Sequence, residues 1–132
     1  RSRGLGDVYK RQDIIEAVWE EKLDALDIKW SDKSCACVVM ASGGYPEKYE
    51  TGKVISGLDE NGQCEGAFVY HAGTKLEDGK FLTAGGRVLG ITAYGDTLKE
   101  ALDTAYKAVD TISFEKAHYR HDIGKKALSA LK

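Results

Sequence analysis

Apolar side chains recur at helical spacing in three stretches of the chain, over residues 13–25, 97–111 and 122–131. Asp13 and Glu16 form an aspartate version of the capping box, which predicts that the first helix begins at Asp13. Thr97 and Glu100 form a second capping box, and Asp122 is a candidate cap for the last helix. The spacing predicts one helix near the start of the chain and two near its end.

Between the first two helices, short apolar runs alternate with turn residues, which predicts about five strands. The six candidate runs are residues 34–41, 53–55 and 67–71, the hairpin arms 74–76 and 81–83, and residues 87–94. The unbroken apolar run 34–41 is typical of a strand buried on both faces. Asp78-Gly79 is a hairpin turn, and Gly90 indicates a bend or a close backbone approach. Clustered strands without strand-helix alternation predict an α+β fold, a small antiparallel sheet with flanking helices.

Composition places the chain among ordinary globular domains. Its 132 residues (14.4 kDa) suffice for one domain, 42% of them are hydrophobic, and 30% are charged. No apolar run approaches the roughly 20 residues that a membrane span needs, so we expect no integral membrane protein and no membrane partner. The chain has 19 basic and 21 acidic residues, and without a basic stripe we expect no nucleic-acid partner.

The first twelve residues differ from the rest of the chain. They carry four basic groups against one acidic group, which leaves a net charge of -5 on residues 13–132. They show neither a helical nor a strand period, and they resemble a non-native adaptor more than a targeting peptide. We therefore exclude residues 1–12 from the fold and expect the domain to occupy residues 13–132, as a fragment of a longer native chain.

Cysteine and histidine residues form no pattern typical of a metal site, and we assign no metal ligand and no catalytic residue. Cys35 and Cys37 would share one face of a strand. An odd number of cysteines without a secretory signal predicts reduced, buried thiols in a cytoplasmic protein. His71 is expected in the core or at a strand edge, and His118 and His121 are expected on one helix face.

Two glycine pairs follow strand-like runs, Gly43-Gly44 after the first strand and Gly85-Gly86 before Arg87. Neither pair matches the common phosphate-binding fingerprints. Adjacent glycines permit positive φ and let backbone N–H groups approach an anionic ligand, and an arginine beside them adds a bidentate contact. The alternative, a tight turn followed by a surface arginine, remains open from the residues alone.

Four motifs in order resemble one family. They are ASGGYPEKYETGKVISGL at 41–58, VYHAGTK at 69–75, GGRVLGITAYG at 85–95 and ISFEKAHYRHDIG at 112–124. The sequence resembles the C-terminal domain of the phosphoribosylamine-glycine ligases, members of the ATP-grasp superfamily in purine biosynthesis. The resemblance implies a barrel-like, β-rich lobe that closes an active site and helps to hold a sugar phosphate.

In such ligases, the resemblance implies, glycine is joined to 5-phosphoribosylamine with hydrolysis of ATP to ADP and phosphate. ATP and Mg²⁺ or Mn²⁺ would be bound mainly by an ATP-grasp domain outside this chain, so we expect no cofactor and no activity for the fragment alone. The partners implied are the two substrates and the ATP-grasp and N-terminal domains. We weigh two alternatives, a free-standing metabolite-binding module and a structural interaction module.

The resemblance also suggests roles for individual residues. Gly85, Gly86 and Arg87 match the GGRVLG motif, and we expect Arg87 to contact the anionic substrate. Lys80 resembles a lysine that related enzymes pair with such an arginine. The SGGYP segment has a role in the site or in packing against another domain; its residues are Ser42, Gly43, Gly44, Tyr45 and Pro46.

The last motif contains Arg120, Asp122 and Gly124, where we expect a structural pair or a cap. His121 stands where the family commonly has lysine, which weakens a catalytic interpretation of that position. An apolar surface patch is expected where the remaining domains would pack.

Overall fold

A computed structural model of the chain describes residues 3–27 and 31–130, with side chains described from residue 11 onward. Residues 1–31 and residues 32–132 form two separate compact units. The first unit contains α1 and a short 3-10 turn at Leu23–Ala25. In chain order the elements are α1 Arg3–Trp19, β1 Ser34–Ala41, β2 Phe68–His71, β3 Thr74–Glu77, β4 Lys80–Thr83, β5 Arg87–Gly95, α2 Leu98–Thr111, β6 His118–Tyr119 and α3 Lys125–Ala130.

Helix α1 begins ten residues earlier than predicted and ends before residue 25. Asp13 lies inside the helix, so the prediction that it caps the start is wrong. Residues 3–12 contain no proline, and their two glycines lower helix propensity without stopping the helix. Whether residues 1–12 are native remains a prediction.

The second unit is built on an antiparallel four-stranded sheet with the order β2-β5-β1-β6, beside a two-stranded sheet of β3 and β4. This arrangement confirms the predicted α+β class. The hairpin turn is also confirmed, because Asp78 (φ 49°) and Gly79 (φ 72°) both adopt positive φ. The predicted strand at 53–55 is reduced to one bridge between Val54 and Leu82.

Strand β1 has its predicted bounds but not its predicted burial. Ala36, Val38 and Met40 are buried, whereas Cys35 and Cys37 are exposed, so only one face of the strand is covered. The unbroken apolar run does not reveal this difference, because the residues of the open face are also uncharged. The prediction of a strand buried on both faces is therefore wrong.

Helix α2 covers the inner face of the sheet. Thr97 and Glu100 form the predicted capping box, with the Glu100 N–H donating to Thr97 Oγ1 and the Glu100 carboxylate accepting from the Thr97 N–H. The core consists of apolar side chains from β1, β5 and α2, including Val38, Met40, Leu89, Ile91, Ala101, Ala105 and Val109. Among the described helices, none is both long enough and apolar enough to cross a bilayer.

Strand β6 was not predicted. His118 pairs with Ala41 and Tyr119 pairs with Met40, so His118 and His121 do not share a helix face as expected. The strand has only two residues and forms because β1 offers a free edge, which leaves no local sequence signal. Helix α3 then starts at Lys125, within the region predicted to be helical.

Candidate functional site

One end of the four-stranded sheet brings the four sequence motifs together. Ala41, at the end of β1, pairs with Arg87 on one side and with His118 on the other. The Gly73 N–H donates to the Arg87 carbonyl at 2.8 Å, and the Ser56 N–H donates to the Ser113 carbonyl at 2.8 Å. Segments that are up to 77 residues apart in sequence, as Ala41 and His118 are, therefore meet at one corner.

Ser42 joins the two glycine-rich segments. Its Oγ donates to the Gly85 carbonyl at 2.9 Å, and its N–H donates to the Gly86 carbonyl at 2.8 Å. The residue is 3% exposed. We call the segments Ser42–Pro46 and Gly85–Arg87 together the glycine corner, because these two bonds hold them side by side.

Close contacts surround both members of the second pair, more severely at Gly86 than at Gly85. A Cβ on Gly86 would lie 2.2 Å from Cδ2 of Tyr45, and one on Gly85 would lie 3.1 Å from the Cα of Gly73. Neither Gly85 nor Gly86 has positive φ; only Gly44, at 95°, uses that freedom in the corner. The second pair therefore does not use the positive φ that glycine permits, and its close approach is to Gly73 and Tyr45, while the approach of its N–H groups to an anionic ligand stays a prediction.

The corner presents hydrogen-bond donors. Among the hydrogen bonds of the described residues, none has the N–H of Gly43, Gly44, Gly85 or Gly86 as its donor. Gly44 is exposed and Gly85 is half-buried, whereas Gly86 is buried beneath the Tyr45 ring. Gly43 is half-buried like Gly85, so three of the four amides belong to residues that are not buried, and such uncommitted amides suit an anionic group.

Arg87 stands at a β-bulge. The pairing steps from Met40 with Leu89 to Ala41 with Arg87, so β5 contains one extra residue, Val88. Val88 is buried while Arg87 is exposed. Within the described part of the chain the Arg87 guanidinium forms no ion pair, which leaves its charge available to a ligand.

Lys80 is not part of the corner. It begins β4 and pairs with Glu77 at the turn end of the β3–β4 hairpin. Thr83, at the other end of β4, is the residue near the corner, and three strand steps of about 3.3 Å each separate the two. The structure thus separates Lys80 from Arg87 rather than bringing them together.

Arg120 and Asp122 form the pair expected from the last motif. Nε and Nη2 of Arg120 donate to the two carboxylate oxygens of Asp122, both at 2.8 Å. These hydrogen bonds lower the pKa of Asp122 and raise that of Arg120. The arginine is thereby committed to a neighbouring side chain, which distinguishes it from Arg87.

An ion-pair cluster lies next to the Ser42–Pro46 segment. Lys53 Nζ contacts Glu50 at 3.1 Å and Glu115 at 2.9 Å, and Lys116 Nζ contacts Glu50 at 3.4 Å. Hydrogen bonds from the two lysines lower the pKa of Glu50. Lys116 also packs against Gly43, where a Cβ would lie 2.7 Å from the Lys116 carbonyl oxygen.

Two of the cysteines are exposed to solvent, and His71 forms hydrogen bonds within the protein. Cys35 and Cys37 are exposed, so the expectation of buried thiols is wrong for both. Partial burial raises the pKa of Cys35, and the neighbouring Cys37 raises it further. His71 Nε2 donates to the Gly62 carbonyl at 2.8 Å, and its Nδ1 lies 2.9 Å from Thr74 Oγ1.

A divalent metal does not fit the residues that the structure describes. Nowhere in residues 11–27 and 31–130 do three or more His, Cys, Asp or Glu side chains come close enough to hold an ion. We therefore derive no step through a metal held by this chain.

Gly73 was not assigned a role from the sequence. Its N–H donates to the Arg87 carbonyl, its carbonyl accepts from the Ala84 N–H at 2.7 Å, and its Cα lies against Gly85. It therefore fixes the backbone on both sides of the second glycine pair. Its place in the VYHAGTK motif was the available signal, but nothing local to that motif indicates its contact with residues 84–87.

Comparison with known proteins places these features in a family. Residues 35–126 match the family described as phosphoribosylglycinamide synthetase, C domain. The phosphoribosylamine-glycine ligase of Caldanaerobacter subterraneus is 52% identical over 111 residues, which are 84% of this chain and 26% of that protein. A bifunctional purine biosynthetic protein of Dictyostelium discoideum is 44% identical over 120 residues, 90% of this chain and 15% of that protein.

A solved structure agrees with the fold. The phosphoribosylamine-glycine ligase of Thermotoga maritima superimposes with a TM-score of 0.59 at 38% identity, over 67% of this chain and 21% of that one. The chain thus spans about a quarter of the length of the first curated relatives that it matches. Together with the family match, these similarities confirm the resemblance drawn from the four motifs. The chain belongs to the phosphoribosylglycinamide synthetase C domain family.

Proposed function

We propose that this chain is the C-terminal, substrate-closing domain of a ligase that joins glycine to 5-phosphoribosylamine at the expense of ATP. The relatives named for this activity are longer proteins, and this chain corresponds to about a quarter of each of the first ones. ATP and its Mg²⁺ or Mn²⁺ are then held mainly by other domains, and this domain alone is inactive. The free thiols suit a reducing compartment, and we propose a cytoplasmic ligase.

The observation that carries this proposal is the glycine corner. Among the described residues, the amides of Gly44 and Gly85 donate to no protein acceptor and the exposed Arg87 has no ion pair, and Ser42 holds the two segments side by side. Amide dipoles and a guanidinium are the groups that recognise a phosphate without a metal ion. In this proposal Arg87 binds the phosphate of the sugar and the amides orient it, while Lys80 has no part.

Arg87→Ala tests the proposal in a full-length ligase. A suitable protein is the Caldanaerobacter ligase in which residues 32–132 of this chain replace the corresponding domain; we call this protein the chimeric ligase, or chimera. We expect kcat/KM for the sugar phosphate to fall by about 10- to 150-fold, the equivalent of about 1.5 to 3 kcal/mol for a hydrogen bond to a charged group. The KM values for ATP and glycine should stay unchanged.

Lys107→Ala is the matched control. Lys107 is an exposed cation on α2 and is not part of the glycine corner, and its removal changes the net charge by the same amount. Its kinetics should equal those of the unmodified chimera. Equal kinetics for Arg87→Ala and Lys107→Ala would remove Arg87 from the substrate site and overturn the proposal.

A further inference from the structure

The four-stranded sheet has a second face, on the side opposite α2. Side chains that point away from α2 form three rows across β1, β5 and β2. We call them the outer face: Cys35 and Tyr94 in the first row, Cys37, Thr92 and Phe68 in the second, and Val39, Gly90 and Tyr70 in the third.

The composition of the outer face is unlike that of a solvated sheet. An antiparallel sheet with one wet face normally places polar and charged residues on that side. None of the eight positions is charged, although 30% of the chain is. The neighbouring β3–β4 hairpin shows the usual pattern, because Lys75, Glu77 and Lys80 are exposed there.

Two large apolar side chains of the third row are open to solvent, whereas in the second row Thr92 is buried and Phe68 is half-buried against Tyr94. Val39 is 44% exposed and Tyr70 is 53% exposed. Between them lies Gly90, where an added Cβ would make only ordinary contacts, 3.4 Å from Cys37 Sγ and 3.8 Å from Tyr70 Cβ. The absent side chain leaves a shallow depression that an apolar side chain from another surface can enter.

The size of the outer face indicates what covers it. Three paired strands over roughly 20 Å of length present on the order of 300 Å². Free association of two proteins buries about 800 Å² on each partner. A face of this size therefore does not sustain a stable dimer of this chain, whereas a tethered partner, whose effective concentration is high, needs less area.

We propose that the outer face docks an uncharged, apolar surface of the ligase polypeptide outside this domain. The inference rests on the proposed function, and the length of the relatives supports it, because about three quarters of the polypeptide of the first relatives lies beyond the matching region. The third row lies two pairing steps along β1 and β5 from Ala41 and Arg87, at the glycine corner. Docking there holds the corner against the rest of the ligase.

Cys35 and Cys37 provide built-in probes for this proposal. The test compares labelling by N-ethylmaleimide in this chain alone and in the chimeric ligase, with each thiol resolved by peptide mass. We expect docking to slow the labelling of both thiols by at least about tenfold in the chimera, because covered thiols react only after local opening. Cys64, which lies outside the outer face, should change less.

Val39→Asp in the chimera should restore labelling, since an unpaired charge cannot be buried against an apolar surface without large cost. Leu76→Asp is the control, an exposed apolar residue on the other sheet, and it should leave the protection intact. Circular dichroism of Val39→Asp in this chain alone checks folding, and Tyr70→Lys serves as a second variant.

Equal labelling in this chain and in the chimera would overturn the proposal. Protection already present in this chain alone, together with a dimer in sedimentation, would also overturn it and assign the face to a second copy. Labelling does not depend on turnover. A loss of docking is therefore distinguishable from a failure of the Arg87 kinetics.

Discussion

Ser42 shows how much of the candidate site depends on one residue. The hydroxyl and the amide of this serine bind successive carbonyls, those of Gly85 and Gly86, from a segment more than 40 positions away. Because the hydroxyl is buried, losing it leaves the Gly85 carbonyl without that donor. The position therefore links the stability of the domain to the shape of the glycine corner.

Ser42→Ala should lower the free energy of unfolding of this chain by about 1 to 2 kcal/mol, the usual cost of removing one partner of a buried hydrogen bond. Urea unfolding measures this change. Ser129→Ala is the control, since its hydroxyl donates to Lys125 on exposed α3 and its loss should cost less than about 0.5 kcal/mol. Equal losses of unfolding free energy in the two variants would show that the buried Ser42 hydrogen bond stabilises the domain no more than an exposed one does.

Substitution by alanine should have different effects on stability at Gly73 and at Gly90. A Cβ at Gly73 would lie 2.6 Å from the Arg87 carbonyl oxygen and 2.7 Å from the Gly85 Cα, both backbone atoms. Gly73→Ala should therefore cost about 1 to 3 kcal/mol of stability, as overpacking does. Gly90→Ala, with ordinary contacts, should be nearly neutral. Thermal unfolding of the two variants decides, and a neutral Gly73→Ala would contradict the close approach.

Elements with strong local signals were predictable from the sequence. The capping box of α2 and the Asp78-Gly79 turn both form as expected, because each depends on residues within four positions of one another. The start of α1 and strand β6 were not predictable. Nothing in residues 3–12 stops a helix, and β6 exists only through its pairing with β1.

Thr97→Ala tests the best-defined of these elements. Loss of the capping side chain should reduce the free energy of unfolding by about 1 kcal/mol. Thr104→Ala, a threonine inside the same helix, should change stability by no more than about 0.5 kcal/mol, since alanine favours the helix. Denaturant unfolding of both variants provides the comparison, and equal effects would argue against the capping box as a stabilising feature.

At the scale of the whole domain, the ion pairs Lys116–Glu50 and Lys53–Glu115 connect the segment after Pro46 with the segment before β6. The pKa of Glu50 lies below its ordinary value of 4.5 in the folded chain, so its contribution is complete above that pH and is lost as the pH falls through the lowered pKa. The exposure of the carboxylate keeps the effect small.

Unfolding free energies measured from neutral pH to well below 4.5 should show a smaller acid loss for Glu50→Gln than for the unmodified chain. Glu60→Gln is a control on an exposed glutamate of the 59–63 turn. An acid dependence that is identical in all three proteins would show that the lysines do not stabilise the Glu50 carboxylate.

The residue types of the candidate site could be predicted from the sequence, but its long-range contacts could not. Both glycine pairs and Arg87 were identified from their residue types, yet the contact between the pairs depends on the long-range register of β1 against β5. The pairing of β3 with β4 places Lys80 at the turn end of the hairpin, away from Arg87, which the separation of seven positions alone did not indicate. Tyr45 covering Gly86 is likewise a tertiary contact without a local pattern.

Binding of ribose 5-phosphate and of ribose to the chimeric ligase, measured by calorimetry with and without Arg87→Ala, tests the role of the glycine corner most directly. We expect Arg87→Ala to weaken binding of ribose 5-phosphate by at least about tenfold, as for loss of a hydrogen bond to a charged group, and to leave binding of ribose unchanged. Equal affinity of the two proteins for ribose 5-phosphate would contradict capture of the phosphate at this corner.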